Sequence, residues 1–223
     1  NYLDVLGDGR FLTAVKNSLI VGVVTTSLAL LFGASAAYAL ARLPLPRKAM
    51  ILTLVTAVTT FPVITIIAPM FNIWSQIGLY DTLLGLIIPK LTFALPLAIF
   101  TLSSFFREIP MELEEAASID GSGPLGTFFR VILPLAMPGI ATTAILVFIS
   151  VWNEFLLAVA LTSTPAAQTV PVAIAFFTGV NEFEVPIGAI TAASVIITLP
   201  LLVVVMIFQR RIVAGLTAGA VKG

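Results

Sequence analysis

The chain has 223 residues, 59% of them hydrophobic and only 10% charged, with eleven basic and eleven acidic side chains and neither histidine nor cysteine. Its mean hydropathy is +1.13, whereas a soluble domain carries roughly a quarter of its residues as charges to cover its exterior. Lipid is therefore the expected solvent; zero net charge argues for no nucleic-acid partner, and the missing Cys and His exclude disulfides, thiol chemistry and the commonest metal ligand, so no metal site is expected.

The chain opens on a polar segment, residues 1–16, with no initiator Met, no basic n-region and no apolar h-region of a signal peptide. Five stretches then reach the roughly 20 apolar residues that a bilayer crossing needs: 17–41, 50–73, 83–106, 139–161 and 187–208. Their length selects helices over the short alternating strands of a membrane barrel, so the expected fold class is an all-α polytopic membrane protein. Pro62, Pro69, Pro89, Pro96 and Pro200 predict kinked helices packed on neighbours that satisfy the freed carbonyls. Gly33, Ala34, Ala36 and Ala37 predict close helix–helix approach in the first span.

Eight of the eleven bases share one side: Arg42, Arg47, Lys48, Arg107, Arg130, Arg210, Arg211 and Lys222. By the positive-inside rule that side, with the C-terminus, is cytoplasmic. Asp81, Glu182, Glu184 and the N-terminus then lie outside, which predicts a further membrane helix upstream of residue 1. Lys90, seven residues into its helix, is expected to snorkel to the outer surface.

Residues 107–134 form the one acidic loop on the cytoplasmic side. Pro110 suits a first helical turn, and Glu112, Glu114 and Glu115 complement the positive end of the helix dipole. Gly121 permits a left-handed exit, and Pro124 restarts a helix that runs through Arg130 to Leu133-Pro134. One reading is a solvated loop of incidental helicity; the paired Ala116 and Ala117 beside carboxylates favour a helix seated in another protein's cleft.

Glu154 is the one acid inside an expected span, in the run Trp152-Asn153-Glu154-Phe155. An ionisable residue there is by default a functional candidate. Trp152 offers a flat face for a sugar ring, and Asn153 and Glu154 offer hydrogen bonds to hydroxyls. The competing reading is an interfacial Trp with a polar pair bonded to neighbouring helices. Asn72, Trp74 and Gln76 close the second span as an aromatic belt with polar caps, Asn72 also being a pathway candidate. Residues 163–184 form an outer loop holding an apolar piece, 169–180, too short to span and read as an interfacial or re-entrant helix.

The pattern Glu115-Ala116-Ala117, Gly121, Val131 and Leu133-Pro134 resembles the EAA loop of ABC importer permeases, with Val131 in place of the usual Ile. Asn17-Ser18-Leu19 opening a membrane helix, Trp152-Asn153-Glu154-Phe155 and the ending from Gln209 to Gly223 are similar to the carbohydrate-uptake branch, that of the smaller maltose and trehalose permeases. The resemblance implies the type I importer fold, a single permease domain over 1–223 with five of six helices present, a coupling loop at 107–134, an outer loop at 163–184 and a cytoplasmic tail at 209–223. It implies that Glu114, Glu115, Ala116, Ala117, Asp120, Gly121, Leu133 and Pro134 meet an ATPase subunit, and that the chain sits in a bacterial or archaeal cell membrane. Its implied partners are a second permease subunit in a heterodimer, two cytoplasmic ATPase subunits that bind ATP and Mg, and an extracytoplasmic sugar-binding protein. The chain, which has no phosphate-binding Gly-Lys-Ser or Gly-Lys-Thr loop, is expected to bind no cofactor and to catalyse nothing. The expected cargo is a disaccharide such as trehalose or maltose. Another oligosaccharide or a polyol, a proton-coupled transporter using Glu154, and a purely structural subunit remain as alternatives.

Overall fold

The computed structural model describes residues 2–177 and 186–220, with side chains described to residue 207. The described residues are helical, without strands: α1 (Tyr2–Gly7), α2 (Gly9–Arg42), α3 (Lys48–Thr60), α4 (Val63–Ile77), α5 (Leu83–Glu108), α6 (Glu112–Ile119), α7 (Pro124–Thr127), a π-helical turn (Phe128–Ile132), α8 (Leu133–Leu135), α9 (Met137–Asn153), α10 (Leu156–Leu161), α11 (Val170–Ala175) and α12 (Ile187–Ala220). Helices are the outcome that lipid dictates, because each pairs its own backbone donors and acceptors. Large apolar side chains such as Leu31, Phe32, Ile64, Val203 and Met206 stand exposed, as a lipid-facing exterior requires.

Among the described residues, three helices are long and apolar enough to cross a membrane: Gly9–Arg42, Leu83–Glu108 and Ile187–Ile207. The total reaches five if each of two bent pairs counts as one span. The bent pairs are Lys48–Thr60 with Val63–Ile77, at 86°, and Pro124–Leu135 with Met137–Asn153, at 75°. The 50–73 stretch divides at Phe61-Pro62, where Pro62 lacks an N–H and adopts an extended ψ of 116°. The 139–161 stretch divides after Asn153, and Leu156 begins a new helix. The first span starts earlier than expected, at Gly9, so Asn17-Ser18-Leu19 lies two turns inside α2 rather than at its opening. The backbone of α12 continues as helix through the expected tail region to Ala220.

The chain divides into two compact units. The first comprises Asn1–Thr25, Phe61–Thr92 and Phe148–Val204, and its core holds Val5, Phe11, Ala14, Val170, Ala192 and Ala193. The second comprises Thr26–Thr60, Phe93–Val147 and Val205–Gly223; Ala34, Ala37, Tyr38, Leu102, Phe106, Phe128, Ile132 and Ala136 form its core. There the small residues of α2 act as expected. A Cβ added at Gly33 would stand 2.8 Å from the Ala98 Cβ, so only glycine permits this approach of α2 to α5.

Candidate functional site

In the second unit, the 107–134 segment is a short helix held on a polar brace. Met111 precedes α6, and Glu112, Glu114 and Glu115 occupy its first turn. The helix ends in two reverse bonds, from the Gly121 N–H to Ser118 O at 3.1 Å and from the Ser122 N–H to Ala117 O at 2.9 Å. This is the Schellman arrangement, and its left-handed position is Gly121 at φ 83°, as the sequence predicts. Pro124 then opens α7, and a π-helical turn, absent from the sequence reading, leads to Leu133 and Pro134.

Beneath α6, Arg42 at the last position of α2 pairs its Nε with Glu114 Oε1 at 3.0 Å, the two side chains being 5% and 15% exposed. Its Nη2 donates to Phe106 O at 2.5 Å and to Ile109 O, carbonyls at the end of α5, and its Nη1 meets the Met111 sulfur. The guanidinium fork thereby caps one helix while fixing the next. Tyr38, one turn before Arg42, donates its hydroxyl to Glu114 Oε2 at 3.2 Å and packs on Phe106 and Phe128.

Among the expected coupling residues, Glu114 therefore faces inward and Ala117 is buried. Glu115, Ala116, Asp120, Gly121 and Pro134 are exposed, and Leu133 is half-buried. Ile119, which the sequence places on the small apolar face of this helix with Met111 and Leu113, stands 86% exposed, and Leu125, which carried no signal in the sequence, is 75% exposed on the same loop. Arg42 and Tyr38 were missed as braces too; their signal was an i, i+4 polar pair at the end of an apolar helix.

In the first unit, Trp152, Asn153 and Glu154 lie at the interruption between α9 and α10. Lys90 of α5 does not snorkel; it is 3% exposed. Its Nζ pairs with Glu154 Oε2 at 3.1 Å and donates to the carbonyls of Val151 and Glu154, both at 3.2 Å. The other carboxylate oxygen, Oε1, accepts the Leu157 N–H at 2.7 Å, a first-turn donor of α10. Two carbonyls and a carboxylate offset the desolvation of the ammonium, which would otherwise favour snorkelling.

Trp152 is 2% exposed, with its ring stacked on Phe148 at 5.5 Å. Its indole N–H is buried and finds no hydrogen-bond partner among the described residues. In this conformation the ring offers no face to a sugar. Asn153 is exposed, its Nδ2 bonded to Ile149 O at 2.8 Å, and Asn72 is exposed on α4. Trp74, expected in an aromatic belt, donates its indole N–H to Gly85 O at 2.7 Å.

The loop after α10 is pinned from two directions. Asp81 accepts the backbone N–H groups of Ser163 at 2.9 Å and Thr164 at 3.1 Å, and the Thr164 hydroxyl at 2.6 Å. Burial pushes its carboxyl up, but the bonds from Thr164 and Ser163 outweigh this and hold it below the usual aspartate range. Asn17 Nδ2 faces the carbonyls of Pro165, Ala166 and Gln168 at 3.0–3.1 Å, and Ser18 Oγ accepts the Val170 N–H at 2.8 Å. The expected 169–180 helix is shorter, Val170–Ala175. Residues 178–180 of that piece, with Glu182 and Glu184, lie outside the described residues. An open cavity of about 410 Å³ adjoins this loop, with Asp8, Arg10, Gln168 and Phe176 in its wall. Among the described residues no group of three or more metal-ligating side chains comes together.

Comparison with known proteins accords with this architecture. The trehalose transport system permease protein SugB of Mycobacterium tuberculosis (strain CDC 1551 / Oshkosh) is 55% identical over 223 residues, covering 100% of this chain and 81% of the relative. The sulfoquinovosyl glycerol transport system permease protein SmoH of Agrobacterium fabrum is 43% identical over 223 residues, with 100% and 78% covered. In fold, the chain matches a crystal structure of a bacterial ABC transporter involved in import of the acidic polysaccharide alginate. That match has a TM-score of 0.74 at 24% identity and covers 94% of this chain and 78% of the other. The family model for the binding-protein-dependent transport system inner membrane component matches residues 17–218, and the chain belongs to that family.

Proposed function

We propose that this chain is one of two permease subunits of an ATP-driven importer, forming half of the passage for a small sugar, with a disaccharide such as trehalose the leading cargo. The observation that carries the reading is α6, which turns Glu115, Ala116 and Ile119 outward while Arg42, Tyr38 and Glu114 hold it from beneath. A short helix on a rigid support transmits displacement, and that is the mechanical need of a contact with a moving ATPase. The loop and the end of α12 face the cytoplasm, where two ATPase subunits bind ATP and Mg and perform the hydrolysis; this chain catalyses nothing. The loop pinned by Asp81 and Asn17 faces an external sugar-binding protein, and the other half of the passage comes from a different permease subunit.

Trehalose is supported by the 55% identity to SugB along the entire chain, and maltose shares the same chemistry of neutral hydroxyls. Asn153 and Asn72 are the exposed pathway candidates. Proton coupling through Glu154 is disfavoured, because both carboxylate oxygens already hold partners.

Glu115→Lys in the complex reconstituted with its ATPase and binding protein tests the reading. Sugar-dependent ATP hydrolysis and uptake fall by about tenfold or more, the effect of reversing a charge at a contact, while the permease stays in the membrane in normal amount. Uptake at the unmodified rate would sink the proposal. Comparing trehalose, maltose and a polyol as stimulants of hydrolysis assigns the cargo.

A further inference from the structure

We infer that Lys90 is a positioning residue of the sugar passage: it locks the interruption between α9 and α10 so that Trp152 is held packed and Asn153 stays exposed. The inference rests on the reading of 152–154 as part of the passage.

An interrupted helix inside a membrane leaves carbonyls at one helix end and N–H groups at the next without intrahelical partners. Such interruptions commonly build the cargo sites of transporters, whose ligands satisfy the freed groups. Here the chain satisfies them itself. The Lys90 ammonium takes the carbonyls of Val151 and Glu154, and the Glu154 carboxylate takes the Leu157 N–H. The 3.1 Å ion pair joins the two ends across the gap, so the interruption is closed and charge-neutral. Lys90 sits on a different helix, α5, and its three contacts fix residues 151–154 relative to it.

Those residues include Trp152. Leaving an indole N–H buried without a partner costs free energy, and the ring stays there because Phe148 stacks on it and the neighbouring backbone is clamped. The adjacent Asn153 remains exposed. A loosened interruption would free the indole to turn toward a hydrogen-bond acceptor and would move Asn153 with it. The pair thus sets which side chain meets the cargo, and a fold that needed only stability would do as well with an uninterrupted apolar helix.

The test uses the complete transporter in vesicles. Glu154→Asp keeps both charges but shortens the arm by one methylene, so it cannot reach Lys90 and Leu157 together. Lys90→Met with Glu154→Gln removes both charges and leaves an acceptor for Leu157. The chain has no cysteine, so Asn153→Cys added to each background reports local exposure through its rate of modification by a small thiol reagent. The expected result, with the permease assembled in normal amount, is sugar-dependent uptake slower by about tenfold, the scale of losing one bond to a charged group, and at least roughly a threefold change in the modification rate of the introduced thiol relative to Asn153→Cys alone. Uptake and thiol reactivity unchanged in Glu154→Asp would overturn the inference, whatever the double variant does. Failure of the passage reading itself appears separately, as an Asn153→Cys thiol in the otherwise unchanged chain that saturating sugar does not protect from modification.

Discussion

Two buried ion pairs, Arg42–Glu114 and Lys90–Glu154, do related work in the two units and differ in what they leave open. In each, a nearly unexposed cation on a long helix binds a carboxylate and also backbone carbonyls at a helix end. Arg42 does so with a planar fork that reaches α5 and α6 together, and Glu114 belongs to a helix whose other residues, Ala117 apart, point outward. Lys90 does so as a compact charge, and Glu154 belongs to the interruption being closed. The first pair supports an exposed helix face from beneath, and the second ties an interrupted helix to its neighbour. On the proposed function, rigidity serves presentation in one place and containment in the other.

The largest effect that separates the two comes from Arg42→Ala. It leaves the Glu114 carboxylate without its partner and uncaps the last carbonyls of α5, a loss of about 3 kcal/mol by the usual cost of breaking a buried pair. Thermal unfolding of the purified complex should shift down by several degrees, and limited proteolysis should open new sites within 107–134. An unchanged midpoint and cleavage pattern would mean that α6 does not depend on its support.

Asp81→Asn gives a smaller effect and asks whether the pinned outer loop is a third rigid point. Asp81 has a φ of 56°, which asparagine tolerates equally well, so the substitution removes the charge and the acceptor of the Thr164 hydroxyl without straining the backbone. The folded carboxyl lies below its ordinary value, so its stabilisation is complete above roughly pH 4 and is lost as pH falls through the folded value. The variant should lose about 1 kcal/mol at neutral pH, the worth of one charged hydrogen bond discounted for a partly exposed site, and the loss should vanish in strong acid. Equal destabilisation at both pH values would rule out the charge as the cause.

Hydropathy made the apolar segments, the acidic loop and the left-handed Gly121 legible in advance, because each is written in local composition. Pro62 marked a kink at Phe61-Pro62, but the break after Asn153 was not legible, because the polar pair Asn153-Glu154 lies in a stretch whose hydropathy still reads as one span. Lys90 shows the same limit more sharply. Its charge was visible, but its partner lies at position 154, and a lysine near a helix end looks alike whether it snorkels or pairs. The loop resembled a known coupling motif and both Glu114 and Glu115 were expected at its contact, yet only packing separates the inward acid from the outward one. Trp152 was legible as an aromatic in a polar run, and its burial against Phe148 was not.

The smallest effect on the chain itself should come from Ile119→Ser, and that is its value for the comparison. Ile119 is 86% exposed, so the substitution should leave thermal stability within about 0.5 kcal/mol. If the support beneath α6 exists to present this face, the same change removes an apolar anchor from a protein contact. About 1 kcal/mol of docking energy is then lost, roughly a fivefold weaker apparent affinity for the ATPase. Titrating the ATPase onto reconstituted permease measures it. Arg42→Ala should weaken docking as well, but with lost stability, whereas Ile119→Ser should weaken docking alone. Unaltered docking in Ile119→Ser would place the contact elsewhere on the loop, on Glu115 and Ala116, and make Ile119 a residue that meets only water or lipid headgroups.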